Sequence, residues 1–323
     1  MVVGCVLLFS CGDGVEGPLE LTFGHVGAPG SLFALSAQEF ARLANERLGD
    51  RGQVIVFGAS QLGGDELMLQ KLKLGTLDFA LPSTIMSSAV DAFGVFEMPY
   101  LVRDREHMEA IERDVVWPVL APLAQEQGYR ILAVWENGFR HITNNVRPVV
   151  VPADLDGIKL RTPRGLWRVK LFQAFGANPT PMPLSEVFVA LQTGVMDGQE
   201  NPLAQISASK FQEVQTFLSL TGHVYTPAYV TVGGRRWERL PEDVREMLVA
   251  AARETQSFVY ETAARMDHEL LAELRAAGMR VNDADHAAFV AASEAIYDEF
   301  GRTVENAGQL VSMARSAQPS DEP

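Results

Sequence analysis

Apolar and polar positions alternate along this chain with two periods that take turns. Leu19-Glu-Leu-Thr-Phe-Gly24 alternates with period two, as a strand with one buried face does, and Gln53-Val-Ile-Val-Phe57 and Leu77-Asp-Phe-Ala-Leu81 read as the next two strands. Between them, Ser36 to Leu48 carries apolar residues at helical spacing up to Gly49, and Asp65 to Leu74 does so up to Gly75. Strands alternating with helices predict parallel pairing and an α/β sheet. Ligands of such sheets sit beyond the carboxyl ends of the strands.

A helix over Glu106–Gln127 and a strand over Tyr129–Trp135 follow, then a loop, Glu136-Asn-Gly-Phe-Arg140, and the short segment His141–Thr143. Past Pro148 and Pro152 a second series begins. It comprises a strand over Ile158–Thr162, a helix over 166–175, a proline-rich link from Asn178 to Pro183 and a helix over 185–193. A loop from Val195 to Pro202, a helix over 203–217 and a strand over Tyr229–Val232 complete it. From Pro241 to Ala277 there is no internal Gly or Pro, and Gly278 supplies a stop. A helix of that length runs about 55 Å. A domain of about 150 residues is only about 40 Å across, so the helix is predicted to cross both halves of the molecule. No internal repeat appears, and the tail 312–323 is expected to be disordered.

Composition narrows the possibilities. A chain of 323 residues suits two domains. A formal net charge of −14 argues against nucleic acid as a partner, because phosphate binding needs clustered Lys and Arg. An anionic ligand must then be held by local cations rather than by the general field. Both cysteines, Cys5 and Cys11, lie at the start, so the body has neither a disulfide framework nor a thiolate metal site. The apolar run Val6 to Cys11, leading into Gly12-Asp-Gly14, reads as the end of a bacterial lipoprotein signal peptide with Cys11 as the lipidated residue. No Lys or Arg precedes it, which a start codon assigned too late would explain. No later segment has about 18 uncharged apolar residues.

The candidate chemistry is recognition. Arg161 sits on a short strand before Thr162-Pro163, Arg140 follows a strand end, and Asn201 closes the loop Asp197-Gly-Gln-Glu-Asn201. A buried guanidinium fork recognises a planar carboxylate through two parallel hydrogen bonds, and carboxamides supply neutral donors and acceptors for hydroxyls. Singly, each residue also fits a surface ion pair or a turn. Signals for catalysis are weaker. Six histidines are scattered without metal-ligand spacing, and there is no nucleophile elbow, phosphate loop or dinucleotide fingerprint. Only a pair such as Glu136 and Glu200 offers acid–base work.

Longer motifs sharpen this. The runs Asp156-Gly-Ile-Lys-Leu-Arg161-Thr-Pro, Gly176-Ala-Asn-Pro-Thr-Pro-Met182, Ser185-Glu-Val-Phe-Val-Ala-Leu-Gln-Thr-Gly194 and Val195-Met-Asp-Gly-Gln-Glu-Asn201-Pro stand in order. So do Ser60-Gln-Leu-Gly63, Gly75-Thr-Leu-Asp-Phe79, Met98-Pro-Tyr100, Gly138-Phe-Arg140 and Lys210-Phe-Gln-Glu-Val214. Over about residues 19–310 the chain resembles the TRAP-transporter solute-binding proteins of the DctP type. The resemblance implies a two-lobed, periplasmic-binding-protein-like α/β fold with a hinge and a long helix spanning both lobes. The expected lobes are 19–137 plus 227–266 and 138–226 plus 267–311, after a signal segment and linker over 1–18. It also implies closure around a small organic acid anion, handed on to TRAP membrane permease subunits driven by a sodium gradient. Arg161 matches the arginine that holds the ligand carboxylate, with Arg140 and Asn201 helping. Gln61, Asp65 and Gln199 are candidates for ligand hydroxyls, and Arg164 is an extra cation beside the site. Asp65 is shared with the sialic-acid branch of the family. Leu184, Ser83 and Val26 depart from it, which speaks against a nine-carbon sugar acid. Trp167 reads as core.

The expectation is therefore a periplasmic, monomeric receptor, lipid-anchored through Cys11, without cofactor or metal. Its ligand would be a uronic or aldonic sugar acid first, and a C4-dicarboxylate or keto acid next. An enzyme acting on hydroxy or keto acids, or a ligand-sensing ectodomain, is the alternative.

Overall fold

The computed structural model describes residues 17–319. The reading of Cys11 as a lipidated residue lies outside them. Among the described residues eleven strands form two sheets: β1 (Leu19–Gly24), β2 (Gly52–Phe57), β3 (Phe79–Ala80), β4 (Tyr129–Phe139), β5 (His141–Asn144), β6 (Lys159–Thr162), β7 (Asn178–Pro181), β8 (Gly198–Asn201), β9 (Phe217–Leu220), β10 (Tyr225–Gly233) and β11 (Arg280–Asp283). The first sheet has the order β2-β1-β3-β10-β4, with β1 parallel to both β2 and β3 and β10 antiparallel to β3 and β4. The second has the order β11-β9-β5-β8-β6-β7. Its outer strand β7 is Asn-Pro-Thr-Pro, and prolines that cannot donate to a ladder are tolerated at an edge.

In the first lobe Leu21 and Phe23 of β1 are fully buried. Phe23 stacks within 5.4–6.3 Å of Phe40, Phe79 and Trp135. Trp135 donates its indole N–H to the Ala252 carbonyl at 2.9 Å, so the largest side chain of this core carries no unsatisfied donor. Ala252 lies on the helix Glu242–Ala276, whose 35 residues extend about 52 Å. This helix packs on the helix Leu32–Leu48 and on β4 in the first lobe, and on the helix Leu203–Ala208 in the second. Arg105 ties it down between the lobes, with Nη2 2.7 Å from Glu136 and 2.6 Å from Asp267. None of the helices in the described residues is long and apolar enough to cross a membrane.

Several expectations change. The predicted loop over 136–140 continues β4 as far as Phe139, and the loop over 195–202 contains β8. The helix that begins at Leu203 stops at Ala208, and Phe217–Leu220 is a strand. The predicted helix over 106–127 is helical throughout, but Glu112–Leu120 widens into a π-helix around Pro118, which has no N–H to give and crowds the preceding turn. The tail is ordered further than expected. A helix runs from Ala307 to Ser316, Ala314 is fully buried, and the Ala314 carbonyl meets His107 Nε2 at 2.8 Å. That helix rests on residues 91–97 and 112–120 of the first lobe, although 267–311 were assigned to the second.

Gly94 shows how tightly the turn 91–97 fits. A Cβ there would lie 2.7 Å from Trp167 Cδ1 and 2.8 Å from Phe300 Cε2, and these two rings pack edge to face at 5.0 Å. Trp167 is thus core, as read. Rigid rings cannot swing aside as a lysine tip can. Gly94→Ala should cost about 1–3 kcal/mol in urea unfolding, and an unchanged midpoint would show that the rings shift freely.

Candidate ligand-binding site

A cleft opens where the carboxyl ends of strands from both sheets meet. From the first lobe, Val26 follows β1, the helix Asp65–Leu74 starts at the rim, and Ser83 and Thr84 follow β3. From the second, Arg161 is on β6, Asn201 on β8 and Arg140 between β4 and β5. The cavity measures about 60 Å³.

Arg161 stands on a strand paired on both sides, opposite Thr180 of β7 and Gln199 of β8, so its backbone is fixed. It is 3% exposed and lines the cleft. Its Nε and Nη2 donate to the Met182 carbonyl at 2.9 and 2.5 Å. That brace orients one edge of the guanidinium and leaves Nη1 without a protein acceptor among the described residues. Among the described residues no carboxylate pairs with it. Burial pushes its pKa down to about 9, with Glu200 opposing the shift and Arg140 adding to it. The charge persists at neutral pH, desolvated and without a carboxylate bonded to it among the described residues. Such a group gains most from an incoming anion.

Arg140 is differently placed. It lines the cleft but is locked to Glu200, with Nε 2.5 Å from Oε2 and Nη2 2.8 Å from Oε1. Nη2 also donates to Asn201 Oδ1 at 3.0 Å. Glu200 simultaneously accepts from Arg168 Nη1 at 2.6 Å, and Arg168 Nε reaches Glu97 at 2.9 Å. All four of these charged side chains are buried. Burial alone would raise the Glu200 carboxyl, but Arg140 and Arg168 hold it well below the usual carboxylate range. Burial pushes His223 down to about 4, so its ring is neutral. An ionised Glu200 only accepts. His223 Nε2 therefore carries the proton and donates to Glu200 at 3.1 Å, and Nδ1 accepts from Thr221 at 2.8 Å.

Asn201 lines the cleft, and Gln199 does not. The two side chains sit on the same face of β8, and Asn201 Nδ2 donates to Gln199 Oε1 at 2.5 Å. Gln199 in turn donates to Thr143 Oγ1 at 2.9 Å. Gln199 is thus a buried support that orients Asn201, and cannot reach a ligand hydroxyl from there. Gln61 lies on the exposed turn after β2, outside the cleft lining.

The opposite wall carries Asp65 and Glu66. Asp65 Oδ1 is buried with no hydrogen-bond partner. Burial and the adjacent Glu66 raise its pKa to about 7 against the pull of Arg161. Arg164 is 57% exposed, and its Nε reaches Glu66 Oε1 at 3.2 Å. It is therefore a lobe-to-lobe ion pair at the mouth rather than a free cation awaiting a second carboxylate.

Sequence reasoning passed over several lining residues. Asn137 is one. Thr226 pairs with Gly138 and Pro227 with Glu136, so Asn137 is the extra residue of a β-bulge, a device that re-aims a side chain. Gly138 carries the bend at φ +119°, where a side chain would be strained and a Cβ would lie 3.3 Å from Pro202. Asn137 Nδ2 donates to Ser83 Oγ at 3.1 Å. Gln205, one turn beyond Asn201, is another polar group missed, as are Glu66 and Thr84. The polar face of the helix starting at Leu203 was the available signal.

What this arrangement can do is hold an anion. The two carboxylates considered for acid–base work are engaged, Glu200 as described and Glu136 by Arg105 at 2.7 Å from both oxygens. Among the described residues no three His, Cys, Asp or Glu side chains gather as a metal site would require.

The DctP family model, bacterial extracellular solute-binding protein family 7, matches residues 23–303. The 2,3-diketo-L-gulonate-binding periplasmic protein YiaO of Escherichia coli (strain K12) is 32% identical over 295 residues, 90% of this chain and 90% of that one. A TRAP periplasmic solute-binding protein from Polaromonas sp. JS666, solved bound to D-erythronate, has a TM-score of 0.89 at 32% identity and covers 93% of this chain and 99% of its own. The sugar acid binding protein DctPAm from Advenella mimigardefordensis strain DPN7T, solved with galactonate, has a TM-score of 0.88 at 29% identity over 94% and 99%. With nearly the whole chain matched in both sequence and fold, the protein belongs to the DctP family of bacterial extracellular solute-binding proteins.

Proposed function

We propose that this protein is the periplasmic receptor of a TRAP transporter and captures a small organic acid, a uronic or aldonic sugar acid in the first place. The observation that carries the reading is Arg161, which is buried, charged, without a carboxylate partner among the described residues, braced by a backbone carbonyl through Nε and Nη2, and part of the cavity lining. The ligand carboxylate docks there, with Asn201 and Arg140 beside it. Hydroxyls are served by Asp65, Asn137, Ser83 and Gln205 on the surrounding walls. Contacts come from both lobes, so the ligand has higher affinity for the closed arrangement and draws the lobes together. The closed form is what membrane permease subunits would read. The sugar acids bound by structural neighbours agree with this class.

Calorimetry against aldonates, uronates, keto acids and dicarboxylates, with NMR of the same mixtures, tests the reading. The expected result is saturable binding of at least one sugar acid near micromolar affinity, about −8 kcal/mol, with the ligand recovered unchanged. Conversion of the ligand, or no binding of any carboxylate, overturns it. In the same assay Arg164→Ala should weaken binding by less than about fivefold, because an exposed ion pair is worth about 1 kcal/mol at most. A loss of a hundredfold would place Arg164 on the ligand.

A further inference from the structure

The charged side chains around the cleft do not merely add up to a positive pocket. Five line it: Asp65, Glu66, Arg140, Arg161 and Arg164. Two pairings remove three of them. Arg164 is matched by Glu66 at 3.2 Å, and Arg140 by Glu200 at 2.5 Å. What remains unmatched is one guanidinium, Arg161, on the second lobe and one carboxyl, Asp65, on the first. Arg161 is buried, and Asp65 is half-buried with its Oδ1 buried and without a hydrogen-bond partner.

From this we infer that Asp65 is the residue that determines specificity, restricting the site to acids with one carboxylate and a hydroxyl at the far end and rejecting dicarboxylates of the same skeleton. The inference rests on the receptor reading above and refines its substrate class. A hydroxyl presented to Asp65 donates to an oxygen that otherwise has no bond. A second carboxylate meets an ionised Asp65 as acceptor against acceptor and like charge against like charge, and can bind beside it only if Asp65 first takes up a proton, a cost that a hydroxyl does not incur. A site built to bond a hydroxyl rejects analogues that leave its buried polar group unpaired, which gives discrimination by large factors. An ammonium would also answer the charge. It needs up to three acceptors, however, and the neighbouring carboxylate of Glu66 is engaged by Arg164. The same cleft is lined by the neutral Ser83, Thr84 and Asn137, which suit further hydroxyls.

Matched probes isolate the far end of the ligand. D-Erythronate and meso-tartrate share a skeleton and differ in a terminal hydroxymethyl or carboxylate, as do galactonate and galactarate. 4-Hydroxybutanoate and 4-aminobutanoate add the ammonium arm. In calorimetry the wild-type protein should bind the hydroxy acid of at least one sugar-acid pair about 100-fold tighter than its diacid, the equivalent of two tenfold steps in affinity. Asp65→Asn, whose amide donates to a carboxylate, should narrow that ratio to within about tenfold. A melting temperature of the variant near that of wild type shows that folding is not the cause.

Diacids bound as well as hydroxy acids by the wild type sink the inference, and so does an undiminished ratio in a folded Asp65→Asn variant. Tighter binding of the amino acid than of its hydroxy counterpart also overturns it. In all three cases Arg161-dependent binding survives, and the receptor reading stands. If no acid binds at all, the receptor reading fails and takes this inference with it.

Discussion

Arg161→Ala should abolish binding of every carboxylate while the ligand-free protein melts no lower than wild type. Truncating one partner of a buried, hydrogen-bonded charge pair costs about 2–5 kcal/mol, a drop of about 30- to 5,000-fold in affinity. The fold loses little in exchange. Arg161 makes no ion pair, its two donated hydrogen bonds go to a single carbonyl, and the guanidinium is a buried charge that burial disfavours. Removing such a charge from the interior relieves a cost. Arg161→Lys is the sharper control. An ammonium keeps the charge but cannot make two parallel bonds to a carboxylate while bonded to the Met182 carbonyl, so at least about tenfold should still be lost. Calorimetry and a thermal melt on the same preparations decide the matter. If Arg161→Ala stays within tenfold of wild type, the ligand carboxylate is held elsewhere.

Glu200→Gln should do the reverse and injure the fold first. This carboxylate accepts from Arg140, Arg168 and His223 where none of the four side chains is more than 2% exposed. Neutralising it leaves two guanidiniums facing one another, and breaking a buried pair by removing one partner typically costs about 3–5 kcal/mol. Binding should weaken as well, because Arg140 and Asn201 would no longer be held in place. The pH dependence follows from the depressed carboxyl. A carboxylate held below its usual range contributes stability that is present above the unfolded value of about 4.3 and is lost as pH falls through the folded one. The gap between wild type and variant should therefore be widest near neutrality and narrow on acidification. A urea midpoint within about 1 kcal/mol of wild type at pH 7 would show that the cluster is dispensable. Adding Arg140→Met should restore part of the loss, since Arg140 is the guanidinium left without a carboxylate while Arg168 keeps Glu97.

Those two residues also show where the sequence was readable. Arg161 was visible because a strand, a proline and a motif surround it. The helix Asp65–Leu74 was visible from end to end, since its spacing is regular and Gly75 closes it in a left-handed conformation at φ +74°. The helix over 242–276 was legible for the same reason, with Pro241 and Gly278 bracketing an unbroken run. By contrast β8, Gly-Gln-Glu-Asn, has no apolar residue at all and reads as a loop. It is a strand because its polar side chains meet partners from distant segments, such as Thr143 for Gln199 and Arg140, Arg168 and His223 for Glu200. Arg168 was unreadable in the same way. Within Leu-Trp-Arg-Val-Lys it resembles an ordinary helix-surface residue, and its partners lie 71 and 32 residues away. Asn137 was hidden by a register irregularity that no composition announces.

The brace on Arg161 has a consequence for how such a protein can diversify. Its acceptor is a main-chain oxygen, at Met182, so exchanging the side chain there does not remove it. Met182 itself is part of the cavity lining. Mutational drift at this position can therefore reshape the contour presented to the ligand's tail, generation after generation, with the grip on its acidic head inherited intact.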